Sequence, residues 1–228
     1  MALIQRKVFV TGGTGYLGRK LLPALRDRGH HVVALTRPGS ESKVPGGIQA
    51  VSGNPLNPVS LRDALGDCDT WVQLVGTPRP APWKAAQFRV VDLGAVAASL
   101  EALPGSAIRH YVYLSVAQPA PVMRAYVDIR AEAESRLRAA LPPDPGSHAA
   151  SPFAVTFLRP WYVLGPGHRW AYALLPLYAL LESLPATRET ALRMGMVTLE
   201  QMVRALVFAV ENPPQGVRVV PVPDIRQP

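Results

Sequence analysis

The chain is poor in residues that build disulfides and metal sites. It has one cysteine among its 228 residues, Cys68, which excludes an internal disulfide and any metal site built from cysteines alone. A lone cysteine suits a reducing compartment, and the chain opens on a strand-like segment without the apolar core of a signal peptide. We therefore expect a cytoplasmic protein without a bound metal.

Lysine is also scarce, although the chain is basic overall. Only four of the 24 basic residues are lysines, and the net charge is +8. A charge of this size raises the question of a nucleic-acid partner, but the arginines are scattered and no basic run alternates with aromatic residues. We predict no nucleic-acid binding, and we expect the positive charge to suit an anionic cofactor or substrate.

No apolar run is long enough to cross a bilayer unaided. The most apolar stretch lies within residues 170–185 and is interrupted by Pro176. Three roles stay open for this stretch: a core or lid helix over a substrate cleft, a surface for a second copy or a partner, and a peripheral contact with a membrane. We predict no transmembrane segment.

Strand-like and helix-like segments alternate up to about residue 165. The strand-like segments are mostly apolar, which indicates a parallel sheet covered on both faces. The pattern predicts one Rossmann-type, doubly wound α/β domain of six to seven strands over residues 1–228, with a reduced C-terminal substrate-binding or lid portion at about 165–200. The Pro/Gly-rich segment 142–152 reads as a surface loop. Up to residue 165 the predicted strands are 7–12, 31–37, 48–53, 70–76, 108–115 and 152–160, and the four predicted helices are 16–29, 60–65, 85–103 and 123–141. Residues 189–213 are predicted to form a short strand and then a helix.

The turn after the first predicted strand is rich in glycine. Gly12, Gly15 and Gly18 follow that strand in G-x-x-G-x-x-G spacing and open the first helix. Glycine permits a tight turn and lets backbone approach a pyrophosphate, whose charge the free N–H groups at a helix start then bind. Placed in the first strand–helix unit, the spacing predicts a dinucleotide site, although glycines also occur in such turns for packing alone.

The end of the second predicted strand bears on which dinucleotide binds. Proteins that bind NAD usually carry an acid there for the ribose 2′-hydroxyl, whereas this chain has Arg37 and no acid before Glu41. A guanidinium can bind a 2′-phosphate through charge-assisted hydrogen bonds. NADP is therefore the predicted cofactor and NAD remains possible; the alternative is that Arg37 faces solvent.

Four stretches together resemble the short-chain dehydrogenase/reductase superfamily. They match its atypical and extended branches, the epimerase/dehydratase-like and NmrA-like members, and span residues 7 to about 167. The stretches are "VTGGTGYLG" (10–18), "YVYLS" (111–115), "AYVDIRAEAE" (125–134) and "LRPWYVLGPG" (158–167).

The resemblance implies further contacts with the cofactor. Asn54 falls where the family often has an aspartate that contacts adenine, although Asn54 also suits a turn before Pro55. Pro160 would lie near the nicotinamide end. The remaining implied contacts are Thr14, Tyr16 and Leu17 in the glycine-rich turn, and Val75, Gly76 and Thr77 in the turn after the fourth strand.

The resemblance also implies a catalytic set. Ser115 matches the serine that binds the substrate oxygen, Tyr126 matches the tyrosine general acid/base, and Arg130 stands where the family has lysine. Asp92 falls near the position of a helix asparagine in the family. Arginine would promote ionisation of the phenol and bind ribose, but it cannot pass a proton onward. The alternatives are an ordinary strand-end hydroxyl for Ser115 and a packed aromatic for Tyr126.

These features lead to three hypotheses about function. The first is an NADP-dependent oxidoreductase acting on an apolar carbonyl or quinone-like small molecule. The second is a non-catalytic NAD(P)H-binding sensor or complex-stabilising subunit, and the third is an epimerase or dehydratase with a bound cofactor. A homo-oligomer is possible under each of them.

Overall fold

A computed structural model gives the fold of residues 4–141, 153–166 and 173–227. The surface loop predicted at 142–152 lies outside the described residues. Residue 167 of the motif 158–167 and residues 170–172 of the apolar stretch lie outside them as well.

Seven parallel strands form the main sheet, in the order β3-β2-β1-β4-β5-β6-β9. The doubly wound α/β prediction is confirmed, and so are the six strands read from the sequence. The count of six to seven strands is confirmed as well, although the position of the seventh strand, at the sheet edge beside β6, had not been predicted. The strands are β1 (Lys7–Thr11), β2 (His31–Thr36), β3 (Gln49–Ser52), β4 (Thr70–Gln73), β5 (His110–Leu114), β6 (Ala154–Arg159) and β9 (Val217–Pro221); β7 (Tyr162–Leu164) and β8 (Met196–Thr198) pair separately.

Helices connect the strands and cover the sheet. The four predicted helices are present, and the helix predicted at 85–103 is built from α3, a π-helical segment at Phe88–Leu93, and α4. Short 3-10 turns lie at Glu41–Lys43 and Pro82–Lys84. The helices are α1 (Gly18–Asp27), α2 (Pro58–Leu65), α3 (Ala85–Gln87), α4 (Gly94–Ala102), α5 (Arg124–Ala139), α6 (Leu175–Ser183), α7 (Arg188–Arg193), α8 (Leu199–Glu211) and α9 (Val222–Arg226).

Both faces of the sheet are buried, which is why its strands are almost continuously apolar. Side chains alternate along a strand, so Phe9 of β1 packs into a cluster with α2, α4 and α5. Its neighbours Val8 and Val10 pack on the opposite face with α1 and α8. The core is thus two layers of side chains that share one sheet.

Local polar contacts fix where two of the helices begin. The Asn57 side chain accepts hydrogen bonds from the first backbone N–H groups of α2, and Pro58 occupies the first helical position. At α8, Thr198 and Gln201 form a reciprocal capping box. These caps satisfy N–H groups that the helices cannot satisfy themselves.

The C-terminal portion is small and its helix α6 is exposed. The β7–β8 pair carries a minor cluster of Leu164 and Met196, on which Tyr178 of α6 packs. No residue of α6 itself is buried, so the interpretation of this stretch as a core helix is wrong. Within the parts of the chain that the structure describes, no helix is long and apolar enough to span a membrane.

We expect Leu206→Ala to lower the free energy of unfolding by about 2–5 kcal/mol. Leu206 is fully buried on α8, between α1 and the sheet, and its removal leaves a cavity. Phe208→Ala on the same helix is the control, because Phe208 is half-exposed and should lose less than about 1 kcal/mol. Urea denaturation measures both losses, and equal losses would contradict this placement of α8.

Candidate functional site

A cleft of about 830 Å³ opens at the carboxyl ends of the strands. It lies where the chain reverses its winding, between β1 and β4, which is where ligands bind in open parallel sheets. The volume falls within the range of about 300–1,000 Å³ that is typical of small-molecule sites. Its lining residues are Gly12, Thr14, Gly15, Leu35, Thr36, Arg37, Pro38, Gly53, Asn54, Pro55, Leu56, Leu74, Val75, Gly76, Pro78 and Val91.

The glycine-rich turn forms one wall of this cleft, and its geometry requires glycine. Gly12 has φ +79°, and a Cβ there would lie 2.8 Å from the carbonyl carbon of Leu74. A Cβ at Gly18 would overlap the backbone of Gly13, so helix α1 can pack this closely only with glycine. The turn therefore brings bare backbone to the cleft, as a bound pyrophosphate requires.

Seven of the predicted cofactor residues line the cleft together. They come from the turns after β1, β2, β3 and β4, which parallel topology brings to one edge of the sheet. These residues are Gly12, Thr14, Gly15, Arg37, Asn54, Val75 and Gly76.

The other predicted cofactor residues lie beside the cleft rather than on its wall. The Tyr16 side chain reaches Gly165, where a Cβ would overlap its hydroxyl, and Leu17 packs against the core. The Thr77 backbone and hydroxyl both bond to Asp92. Pro160 is buried, and its carbonyl accepts a hydrogen bond from the Ala117 N–H.

Arg37 and Asn54 present different groups to the cleft. Arg37 is exposed, and its guanidinium has no ion-pair or hydrogen-bond partner among the described residues. The Asn54 side-chain oxygen accepts a hydrogen bond from the Leu56 N–H at 2.9 Å, so the turn role considered from the sequence is confirmed. The Asn54 amide nitrogen makes no hydrogen bond to the described residues and is left for a ligand.

Sequence reasoning missed the apolar part of the lining. Leu35, Leu56, Leu74, Pro78 and Val91 line the cleft, and none of them belongs to a recognisable motif. Their positions in the sequence could have identified them, because most lie at the end of a predicted strand or in the turn after it.

Arg130 and Asp92 form a buried ion pair behind this cleft. An Arg130 Nη atom donates to Asp92 Oδ1 at 2.6 Å, and both side chains are almost completely buried. The other Nη donates to the Leu114 carbonyl at 2.7 Å and to the Tyr113 hydroxyl at 3.2 Å. Burial favours a lower pKa for Arg130, but Tyr113, Tyr126 and Asp92 outweigh it and raise the pKa, so the guanidinium stays charged.

The ion pair explains two departures from the family pattern at once. An arginine in place of lysine and an aspartate in place of asparagine are partners in one contact, whereas the sequence suggested two separate changes. The larger cation fits because residue 76 is glycine. A Cβ at Gly76 would lie 2.5 Å from a guanidinium nitrogen of Arg130. Both Nη groups are committed to protein atoms, and the buried Nε has no partner among the described residues.

Tyr126 is the member of the predicted catalytic set with an open hydroxyl. Its ring packs against Phe88, with centroids 5.0 Å apart, and the Arg130 guanidinium carbon lies 5.1 Å from the ring centroid. The side chain is half-buried, and in the described parts of the chain its hydroxyl makes no hydrogen bond. The ring is therefore held by two contacts, while its hydroxyl is not bonded to any described residue.

Ser115 is engaged by a carboxylate that sequence reasoning did not identify. Its hydroxyl lies 2.6 Å from Glu134 Oε1, and Arg159 and Gln118 donate to the same carboxylate. A carboxylate paired with arginine only accepts hydrogen bonds, so the Ser115 hydroxyl donates the hydrogen bond to Glu134. In this arrangement Ser115 offers a ligand lone pairs rather than a proton. The available signal was spacing, since Glu134 lies one helical turn beyond Arg130 on α5.

Two buried titratable groups away from the cleft are poor candidates for chemistry. Burial raises the pKa of the Cys68 thiol to about 11, which leaves it protonated and unreactive. Burial also lowers the pKa of His110 to about 3, and its ring bonds to the Thr156 hydroxyl. In the described part of the chain no cluster of residues could hold a metal ion.

We expect Asp92→Asn to lower the free energy of unfolding by about 3–5 kcal/mol, because it leaves a buried guanidinium without its counter-charge. Adding Arg130→Gln should recover part of that loss, since no lone charge then remains. Glu189→Gln is the control: its side chain is 94% exposed in the pair with Arg193, so the loss should stay below about 1 kcal/mol. If urea denaturation gives equal losses for Asp92→Asn and Glu189→Gln, the pair is not buried as described.

Curated relatives with similar sequences include reductases. The chain is 25% identical over 222 residues to "Ceramide reductase" of Caulobacter vibrioides. The matched region covers 96% of this chain and 65% of that protein. The chain is 43% identical over 65 residues to a farnesyl-dihydroquinoline-oxide ketoreductase of Stigmatella aurantiaca, covering 28% of this chain and 20% of that one. It is 30% identical over 116 residues to the photosystem II assembly factor Ycf39 of a Synechocystis species, covering 50% and 35%. The chain thus spans less than two thirds of these relatives.

Solved structures share the fold, and the sequence matches a family model over a range that includes the lining residues of the cleft. MoeE5 in complex with UDP-glucose and NAD superposes with TM-score 0.68 at 23% identity, covering 94% of this chain and 75% of that one. A UDP-N-acetylglucosamine 4-epimerase from Bacillus cereus gives 0.65 at 16% identity, covering 95% and 78%. The NAD(P)H-binding family model matches residues 12–164, about two thirds of the chain. The chain therefore belongs to this NAD(P)H-binding family.

Proposed function

We propose that this protein binds NADP(H) in the cleft and reduces an apolar carbonyl or quinone-like compound in the cytoplasm. The observation that carries the cofactor choice is Arg37, an exposed guanidinium on the cleft wall that has no partner in the described part of the chain. A free cation at the end of β2 suits a 2′-phosphate, whereas an NAD site usually carries an acid there.

The residues of the cleft fit the parts of such a cofactor. The turn from Gly12 to Gly15 and the start of α1 would hold the pyrophosphate, and Arg37 would hold the 2′-phosphate. The Asn54 amide nitrogen would face adenine, with Leu56 as an apolar wall. Val75 and Gly76 would lie against the cofactor on the other side.

The chain's own residues would handle the proton of the reaction. NADPH, when bound, supplies the hydride. The open hydroxyl of Tyr126 would donate a proton to the substrate oxygen, as a general acid. The Arg130 guanidinium would hold the Tyr126 ring in place by contact with its face. Because Asp92 balances the charge of Arg130, we assign Arg130 the role of a positioning residue.

An apolar substrate is supported by the surroundings of the site and by the relatives' names. Helix α6, in the C-terminal portion that we propose to bind substrate, exposes leucines and buries none of its residues. Two curated relatives are named as reductases of a ceramide and of a farnesyl-bearing ketone.

We expect Arg37→Ala to raise the Kd for NADPH about 10- to 100-fold and to leave the Kd for NADH almost unchanged. Only NADPH has the phosphate that Arg37 would bind. Fluorescence titration with each cofactor gives the two Kd values. Arg204→Ala, an exposed arginine on α8, is the matched control. Equal weakening of both cofactors by Arg37→Ala would rule out the 2′-phosphate assignment.

We expect Tyr126→Phe to reduce kcat about 100-fold or more while leaving the Kd for NADPH unchanged, because only the proton donor is lost. The assay is NADPH oxidation against a panel of long-chain ketones and quinones. Turnover by the wild-type protein that survives in Tyr126→Phe would exclude Tyr126 as the acid.

A second candidate function is NADP(H) binding without turnover, as a sensor or as a stabilising subunit. It is favoured by the engagement of Ser115 with Glu134 and of Arg130 with Asp92, which leaves the predicted catalytic set incomplete. Tight NADPH binding with no oxidation of any compound in the panel would select this function over the reductase.

A further inference from the structure

Three connections stand together at the carboxyl edge of the sheet. They follow β4, β5 and β6, which are neighbouring parallel strands, so all three leave from the same edge. The turn Pro82–Lys84 packs against α5, and Arg193 Nε donates to the Pro119 carbonyl at 3.0 Å, which ties α7 to the connection after β5. This edge also carries the mouth of the cleft.

The connections expose large apolar side chains. Trp83 is 83% exposed, at the end of the connection after β4, and Val122 is half-exposed after β5. Helix α6 has the sequence LPLYALLES, yet it buries none of its residues. Scattered exposed leucines are ordinary on a protein surface, but several around one edge indicate a contact surface. The apolar members of this rim surface are Trp83, Val122, Leu177, Leu180 and Leu184.

The same edge carries positive charge that the protein does not neutralise. Arg79, Arg124 and Arg188 are exposed, and none has an ion-pair partner among the described residues. By contrast, two acids on the C-terminal portion, Glu182 and Glu189, are already paired with arginines. Asp128 on α5 is the exposed acid that opposes these charges, so the rim surface remains basic.

We propose that the rim surface docks on an anionic lipid bilayer. Tryptophan and leucine would enter the interfacial layer, and the arginines would bind lipid phosphates. A bilayer suits this surface better than a second copy of the chain, because the second copy would bring the same positive charges against it. An apolar substrate would then reach the cleft directly from the bilayer; that last step rests on the proposed function, whereas the docking does not.

Vesicle flotation of the full chain tests the proposal. The protein should float with vesicles of phosphatidylcholine and phosphatidylglycerol, and much less with phosphatidylcholine alone or in high salt. Trp83→Ser and the double variant Leu177→Ser/Leu180→Ser should each lower the partition coefficient more than about tenfold. Arg124→Glu should lower it about fivefold or more.

The control variant is Phe208→Ser, whose half-exposed ring lies beside α1 on the α8 surface, and it should bind vesicles like the wild type. NADPH binding by every variant reports that it is folded. Failure of the wild type to float, or flotation unchanged by the rim substitutions, would overturn the proposal. So would a concentration-dependent dimer, seen by light scattering, that the rim substitutions abolish. Absence of turnover would count against the proposed reductase while leaving the flotation result intact.

Discussion

The buried contact between Arg130 and Asp92 links the helix that carries Tyr126 to the wall of the cleft. It joins α5 to the π-helical segment, and Asp92 in turn holds Thr77 in the turn after β4. Burying either charge without the other would be costly, so the positions of these three segments are coupled. The same contact constrains Gly76, whose missing side chain leaves room for the guanidinium. The cleft wall and the tyrosine helix are therefore held by one electrostatic link.

This link changes the meaning of the missing lysine. In isolation, an arginine one turn after Tyr126 looks like a substituted cation that still acts on the phenol. Paired with Asp92, Arg130 belongs to an ion pair without net charge, and its guanidinium packs against the Tyr126 ring. Ser115 is likewise half of a pair, because its hydroxyl donates a hydrogen bond to Glu134. Two arginines and Gln118 surround that carboxylate. The chain has kept the framework of the family while redirecting the polar groups around its tyrosine.

The fold and the cofactor end of the cleft could be predicted because local pattern determines them. Apolar strands between helices specify a doubly wound sheet, and glycine spacing specifies the turn after β1. Strand β9, VRVVP, is as long as β1 and rich in valine, but it lies after helix α8, beyond the regular alternation of strands and helices that ends near residue 165. The Asp92–Arg130 pair joins residues 38 positions apart, and no single segment carries information about it. The contacts of Glu134 could not be predicted for the same reason. Its partners Ser115 and Arg159 lie at the ends of two neighbouring strands, far from Glu134 in sequence.

The free guanidinium of Arg37 has a kinetic consequence. On a chain with net charge +8, an unpaired cation at the cleft wall lies in a field that attracts anions before they make contact. An anion should therefore associate faster at low ionic strength, with less effect on its rate of departure. Added salt would then lower the association rate constant of an anionic ligand more than it changes the dissociation rate constant.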